Sequence, residues 1–167
     1  MAMVGLFWIT EDSVYVGSPP NAEGHCAHVS SEGVRARGPD GVRAWPWASL
    51  RSAGVEAVPV EGPTRGAGRF LAAVLEAVVT LGSSYDGAGP PQMFLVLETR
   101  DGTEEVQVSA ATWGYTSREI ALSQGLLTRF REGTADPRTL MTWSRDHGAD
   151  TPRPSEREAL LRAWAQA

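Results

Sequence analysis

Two hydrophobic periods divide the chain. From residue 5 to 110, short runs of β-branched and aromatic residues alternate with polar ones between turn residues; from 116 to 166, apolar residues recur every three to four positions. The first pattern is that of half-buried strands and the second that of amphipathic helices. Leu6–Thr10 and Val14–Val16 are predicted strands around the polar turn Glu11-Asp12-Ser13, with the stretch Met1–Thr10 read as the first strand. Cys26–Ser30 and Val34–Arg37 flank the turn Ser31-Glu32-Gly33, and Gly38-Pro39-Asp40-Gly41 folds the chain back into Val42–Trp45. Gly54–Val60 reads as a further strand whose Pro59 marks an edge or an end, because proline has no N–H to give to a ladder. Asp101-Gly102 between the alternating runs Met93–Thr99 and Glu104–Ser109 is the strongest hairpin signal in the sequence. Connections this short imply antiparallel pairing.

The helical signals have defined ends. Phe70, Leu71, Val74, Leu75, Val78, Val79 and Leu81 predict an amphipathic helix over 69–81, inserted among the strands. Thr116-Ser-Arg-Glu119 has the spacing of a capping box, in which a threonine hydroxyl and a glutamate satisfy each other's backbone N–H, and Gly133 is a natural stop for the helix it opens. Asp136-Pro137 opens a short helix to about Asp146 by the same logic of cap and first-turn proline. Thr151–Pro154 is a linker, and Ser155-Glu-Arg-Glu158 is a second capping box before a last helix with Leu160, Leu161 and Trp164 on one face. The expected organisation is a domain over 1–133 and a helical tail over 134–167 that packs on the domain or on a partner.

Strands followed by helices indicate an α+β domain, since a parallel α/β sheet would alternate the two. The segment Ala44-Trp45-Pro46-Trp47-Ala48-Ser49-Leu50 is similar to the proline–tryptophan strand-to-turn element of bacterial pleckstrin-homology-like domains, and the order of short antiparallel strands followed by one capping helix resembles that fold over Leu6–Arg131. The resemblance implies a strongly bent antiparallel sheet, a partly open barrel closed by the helix that ends at Gly133. The helix at 69–81 would then be an insertion, and the tail would lie outside the fold. Gly114-Tyr115-Thr116 at the start of the long helix also looks like a small uncharacterised actinobacterial family, a likeness that brings no function with it.

Composition narrows the partners. A chain of 167 residues holds one core and an appendage. A net charge of −5 argues against broad binding to nucleic acid or to an anionic membrane surface, both of which need a concentrated positive face. All 15 basic residues are Arg and none is Lys. Their even spread points to a GC-rich genome rather than to selection for carboxylate or phosphate contacts. The longest apolar zone, Phe70–Leu81, is interrupted by Glu76 and falls short of the roughly 18–20 residues of a membrane span. The N-terminal stretch has no signal-peptide pattern, and the single Cys agrees with a reducing compartment, so a cytoplasmic location is expected.

Candidate chemistry is sparse. In His25-Cys26-Ala27-His28, strand alternation sets Cys26 and His28 on one face, but a structural zinc needs about four ligands and only His147 remains elsewhere, so no metal is expected. A Cys–His nucleophile would lack the third, orienting residue, and a half-buried strand accounts for the same letters. Arg35, Arg37 and Arg43 lie on adjoining strands and form an anion site if the register gathers them, as the resemblance implies for phosphate-gripping loops; Glu32 and Asp40 dilute the patch, and a solvated strand face is the alternative. Trp45 and Trp47, two residues apart in an extended segment, point the same way and serve the core or a recognition platform. Trp143 and Trp164 sit on short helices whose apolar faces need the main domain or a second copy. Gly62–Gly68 lacks a phosphate-loop ending, alternation parts Glu104 from Glu105, and Ser49, Ser109 and Ser123 have no nucleophile-elbow context. No cofactor is indicated. The sequence thus favours a non-enzymatic binding or adaptor protein that contacts an unidentified protein or its own copy. The alternative is a small-molecule- or anion-binding domain, possibly enzymatic, with a pocket between bent sheet and helices lined by His25, His28 and Arg35.

Overall fold

Gly5 turns the first strand back on itself: at φ +57° it takes a left-handed conformation, and β1 (Ala2–Val4) pairs antiparallel with β2 (Phe7–Ile9). The single strand expected over Met1–Thr10 is therefore a hairpin, signalled by a glycine that alternation alone does not reveal. The computed structural model describes residues 1–61, 90–148 and 150–166; the helix expected over 69–81 lies outside them. β3 (Val14–Val16), β4 (Cys26–Val29), β5 (Gly33–Gly38) and β6 (Gly41–Pro46) extend the hairpin into a six-stranded meander in sequence order. A 3-10 turn over Trp47–Ser49 leads into the second sheet, ordered β7 (Leu50–Glu56), β8 (Gln92–Thr99) and β9 (Thr103–Ser109). The described residues form an α+β fold with two antiparallel sheets and no closed barrel.

β7 begins and ends four residues before the expected Gly54–Val60. Ala57 at φ +54° breaks the extended backbone before Pro59 is reached. Beyond the break, Val60 makes an isolated parallel bridge to Tyr115, with the Tyr115 N–H donating to Pro59 and the Glu61 N–H to Tyr115, both at 2.8 Å. The β8–β9 hairpin follows the expected register: the Thr99 N–H donates to Gly102 at 2.8 Å, and Met93, Leu95 and Leu97 are buried with Val106 and Val108.

Among the described residues, three helices pack on the sheets. α1 (Ser117–Glu132) starts at the expected box, where the Glu119 N–H donates to the Thr116 hydroxyl and the Thr116 N–H to the Glu119 carboxylate, both at 3.1 Å, and ends at Gly133 with φ +70°. Its Leu126, Leu127 and Phe130 enter the core, where Phe130 meets the edge of Phe7 at 6.0 Å. Each fully buried leucine contributes about 1.5–3 kcal/mol. Gln124 holds α1 on β7 with two bonds to one residue, accepting from the Val55 N–H at 3.0 Å and donating to the Val55 carbonyl at 2.6 Å. α2 (Arg138–His147) opens with its Arg138 N–H on the Asp136 carboxylate at 2.9 Å.

α3 (Pro154–Trp164) starts earlier than its expected box. Pro154 occupies the first turn, and Glu156 rather than Glu158 reaches back, accepting from the Arg153 N–H at 2.8 Å. Glu158 accepts instead from the Thr116 hydroxyl at 3.3 Å. The tail docks on the chain itself, α3 against α1 and β1, α2 against β2. A buried ion pair between Arg157 and Glu119 fastens α3 to the start of α1, and Arg157 also donates to the Pro152 carbonyl at 3.1 Å. Gly5 is fixed for a second reason: a Cβ there would collide with the Ser123 hydroxyl, which accepts from the Leu6 N–H, and with Leu161. No described helix is long and apolar enough to cross a membrane.

Candidate functional site

Strand register decides which polar side chains meet. Arg35 pairs with Ala44, Ala36 with Arg43 and Arg37 with Val42. Directly paired residues share a face, so Arg43 stands on the face of buried Ala36 and Arg35 and Arg37 on the other. The register that would gather all three guanidinium groups on one face is therefore not the one formed, although Arg37 and Arg43 both reach the cleft described next. Arg43 bridges the sheets, bonded to the Glu104 carboxylate at 2.6 Å and lying 5.1 Å from the centre of the Trp45 ring. Glu104 and Glu105 part to opposite faces, and Glu104, on the inward side with Val106 and Val108, is the one that meets Arg43.

The gap between the sheets opens into a cleft of about 570 Å³, the size of small-ligand pockets. Its lining includes His25, Cys26, Arg37 and Arg43 on the side of the large sheet, and Glu105–Ser109 of β9 on the other. Asn21 orders the loop entering β4: its carboxamide oxygen accepts from the Glu23 N–H at 3.0 Å and the His25 N–H at 2.8 Å. That turn sets His25 Nδ1 3.2 Å from Glu23. Gln92 donates to the Ser109 hydroxyl at 3.2 Å, while Gln107 donates to Gln92 at 3.4 Å. Burial pushes the Cys26 thiol up from its ordinary value, against the smaller pull of Arg37. The protonated thiol is a poor nucleophile and a poor metal ligand.

His28 and Arg35 do not reach this cleft. They pair across β4 and β5 and line a shallower depression of about 340 Å³ with Trp45. Burial, with Arg35 beside it, lowers the His28 pKa, so its ring is neutral at pH 7 and packs edge-on to Tyr15 at 5.6 Å. The expected pocket between sheet and helices gathering His25, His28 and Arg35 is thus two separate concavities. A third hollow, about 650 Å³, lies where the α1–α2 loop meets Trp47, and none of those three residues lines it.

The four tryptophans considered for partner contact are mostly occupied within the chain. Pro46 ends the extended backbone, so Trp47 turns away from Trp45, is buried against Phe130 at 6.5 Å and donates its indole N–H to the Ser30 carbonyl at 2.9 Å. Trp143 meets Trp164 edge-on at 5.6 Å and stacks on His147 at 5.2 Å, with both tryptophans buried. Only Trp45 stays half-buried. The exposed indole is Trp113, 73% accessible, a residue that sequence reasoning passed over because it falls between elements. Asn21, Gln92 and Gln107 were also missed, and Ser109 was weighed only as a nucleophile; the polar alternation of Glu105, Gln107 and Ser109 along β9 is the signal for the last two.

No family model, curated protein or solved structure matches this chain.

Proposed function

We propose that this protein is a non-catalytic binding module in the cytoplasm that contacts another protein through the cleft between its two sheets, and that its fold is a pleckstrin-homology-like variant closed by α1. One observation supports the reading above the rest: the cleft is ligand-sized and lined by hydrogen-bonding side chains of both charges, while its one thiol is held protonated. The helical tail, the other candidate surface, has its large apolar side chains turned into the chain. A photo-crosslinking residue at Gln107, compared with one at exposed Arg162 on α3, tests this in the host cell. Crosslinks to a second protein are expected from Gln107 and not from Arg162; the reverse pattern refutes the cleft as the contact surface.

The second reading, a small-anion site, is favoured by Arg37, which makes no ion pair among the described residues although it lines the cleft. Titration with inorganic phosphate, followed by backbone amide shifts, separates the two. Saturable shifts centred on Arg37 that disappear in Arg37→Ala support anion binding; their absence leaves the protein-contact reading ahead.

A further inference from the structure

β9 is the last strand of the small sheet, and its backbone shows how the cleft is used. The Thr99–Gly102 pair at the hairpin tip is hydrogen-bonded at 2.8 Å. In an antiparallel ladder bonded and non-bonded pairs alternate, so Leu97–Glu104, Leu95–Val106 and Met93–Val108 exchange bonds with β8. The N–H and C=O groups of Glu105, Gln107 and Ser109 therefore face outward into the cleft that those residues line. The edge already takes one such bond, since the Ser18 N–H donates to the Ser109 carbonyl at 2.8 Å. The outward groups of Glu105 and Gln107 have no backbone partner among the described residues.

Charge selects the occupant. Arg43 is matched by Glu104, which leaves Glu23, Asp40 and Glu105 against Arg37 in the lining. On a chain of net charge −5, this excess favours a cationic strand, with a basic side chain directly across from Glu105.

We infer that β9 receives an extended basic peptide segment of the partner protein as a fourth strand of the small sheet, held by the backbone of Glu105 and Gln107. The inference rests on the cleft being the contact surface and adds how the contact is made. Main-chain bonds supply the affinity in this mode of recognition, and alternate side chains supply the selectivity.

The probe is a fluorescent octapeptide of alternating threonine and arginine, followed by anisotropy. Gln107→Ala keeps the outward N–H and loses only the side chain, so it is the reference against which the proline is read. Gln107→Pro removes one outward N–H without touching the ladder to β8, and at least tenfold weaker binding is expected. If the proline variant misfolds, methylated peptides carry the test alone: methylating the arginine amides should weaken binding at least tenfold, and methylating the threonine amides should leave it unchanged. Equal effects of the two methylations, or no binding of the unmethylated peptide, overturn strand addition. So does tighter binding of the threonine–glutamate counterpart, which would make the segment acidic. A peptide-free dimer that Gln107→Pro dissolves would put a second copy on the edge and overturn the choice of partner. Should crosslinking from Gln107 succeed while the proline and the methylations have no effect, cleft contact stands and strand addition falls.

Discussion

The two ends of the molecule handle polar groups in opposite ways. Where α1 and α3 meet β1 and β2, the buried charged and hydroxyl groups that join the elements are matched, Glu119 with Arg157 and the Thr116 N–H, and the Ser123 hydroxyl with the Leu6 N–H, while the indole N–H groups of Trp8 and Trp143 and the Ser144 hydroxyl are buried with no partner among the described residues. At the far end, between β4–β6 and β9, polar side chains face solvent and bond mainly to each other, as Gln92, Gln107 and Ser109 do. A buried charge without its partner is costly, whereas an exposed one is nearly neutral for stability. The closed end therefore determines whether the chain folds, and the open end can vary its side chains for recognition at small cost to the fold.

The largest test of that contrast is Arg157→Ala, which leaves the Glu119 carboxylate buried and unpaired. A loss of about 3–5 kcal/mol is expected in denaturant unfolding; a loss below about 1 kcal/mol would mean that the ion pair is not what fastens the tail. Gln124→Ala comes next, because both Val55 backbone groups lose their partner. Destabilisation of about 1–3 kcal/mol is expected, with slowed amide exchange at Val55 lost first. At the open end, Arg37→Ala should move stability by no more than about 0.5 kcal/mol. A larger shift there would break the contrast directly.

The smallest effect is one of pH. The folded state lowers the His28 pKa below its ordinary 6.5, so the unfolded chain binds the proton first and stability declines as pH falls below that value. In His28→Gln this part of the decline should vanish while stability at pH 7 is nearly unchanged. Unfolding midpoints measured between pH 5 and pH 7 decide it, and parallel pH profiles for the two proteins would assign the decline to other groups.

Much of this contrast was legible in the amino-acid order, and unevenly. The hairpin at Asp101-Gly102 and the capping box at Thr116–Glu119 are local signals, settled by residues two or three apart, and both stand where expected. The capping logic misplaced α3 because two starts compete within four residues, and the first-turn proline at 154 took precedence over Ser155. β7 shifted because Ala57, a residue with no special turn propensity, adopts a left-handed backbone that only the surrounding structure imposes. The site was harder to read. Whether Arg43 joins Arg35 and Arg37 depends on a one-residue question of register, which reverses the face of every side chain in the strand. The cleft itself joins β4 to β9 across about half of the chain's length, a distance over which local pattern carries no information.

The paired bonds from Gln124 to Val55 have one more consequence. A carboxamide offers the same acceptor and donor as a peptide unit, so this side chain stands in for a neighbouring strand at Val55 on the outer edge of β7. Among the described residues, α1 packs where a strand added beyond Val55 would lie, which leaves β9 as the more open edge of the small sheet. Head-to-tail stacking of its copies would need two open and complementary edges. With one of them obstructed by α1 at Val55, growth through this sheet is hindered, which helps protect a chain without edge lysines from forming fibres by this route.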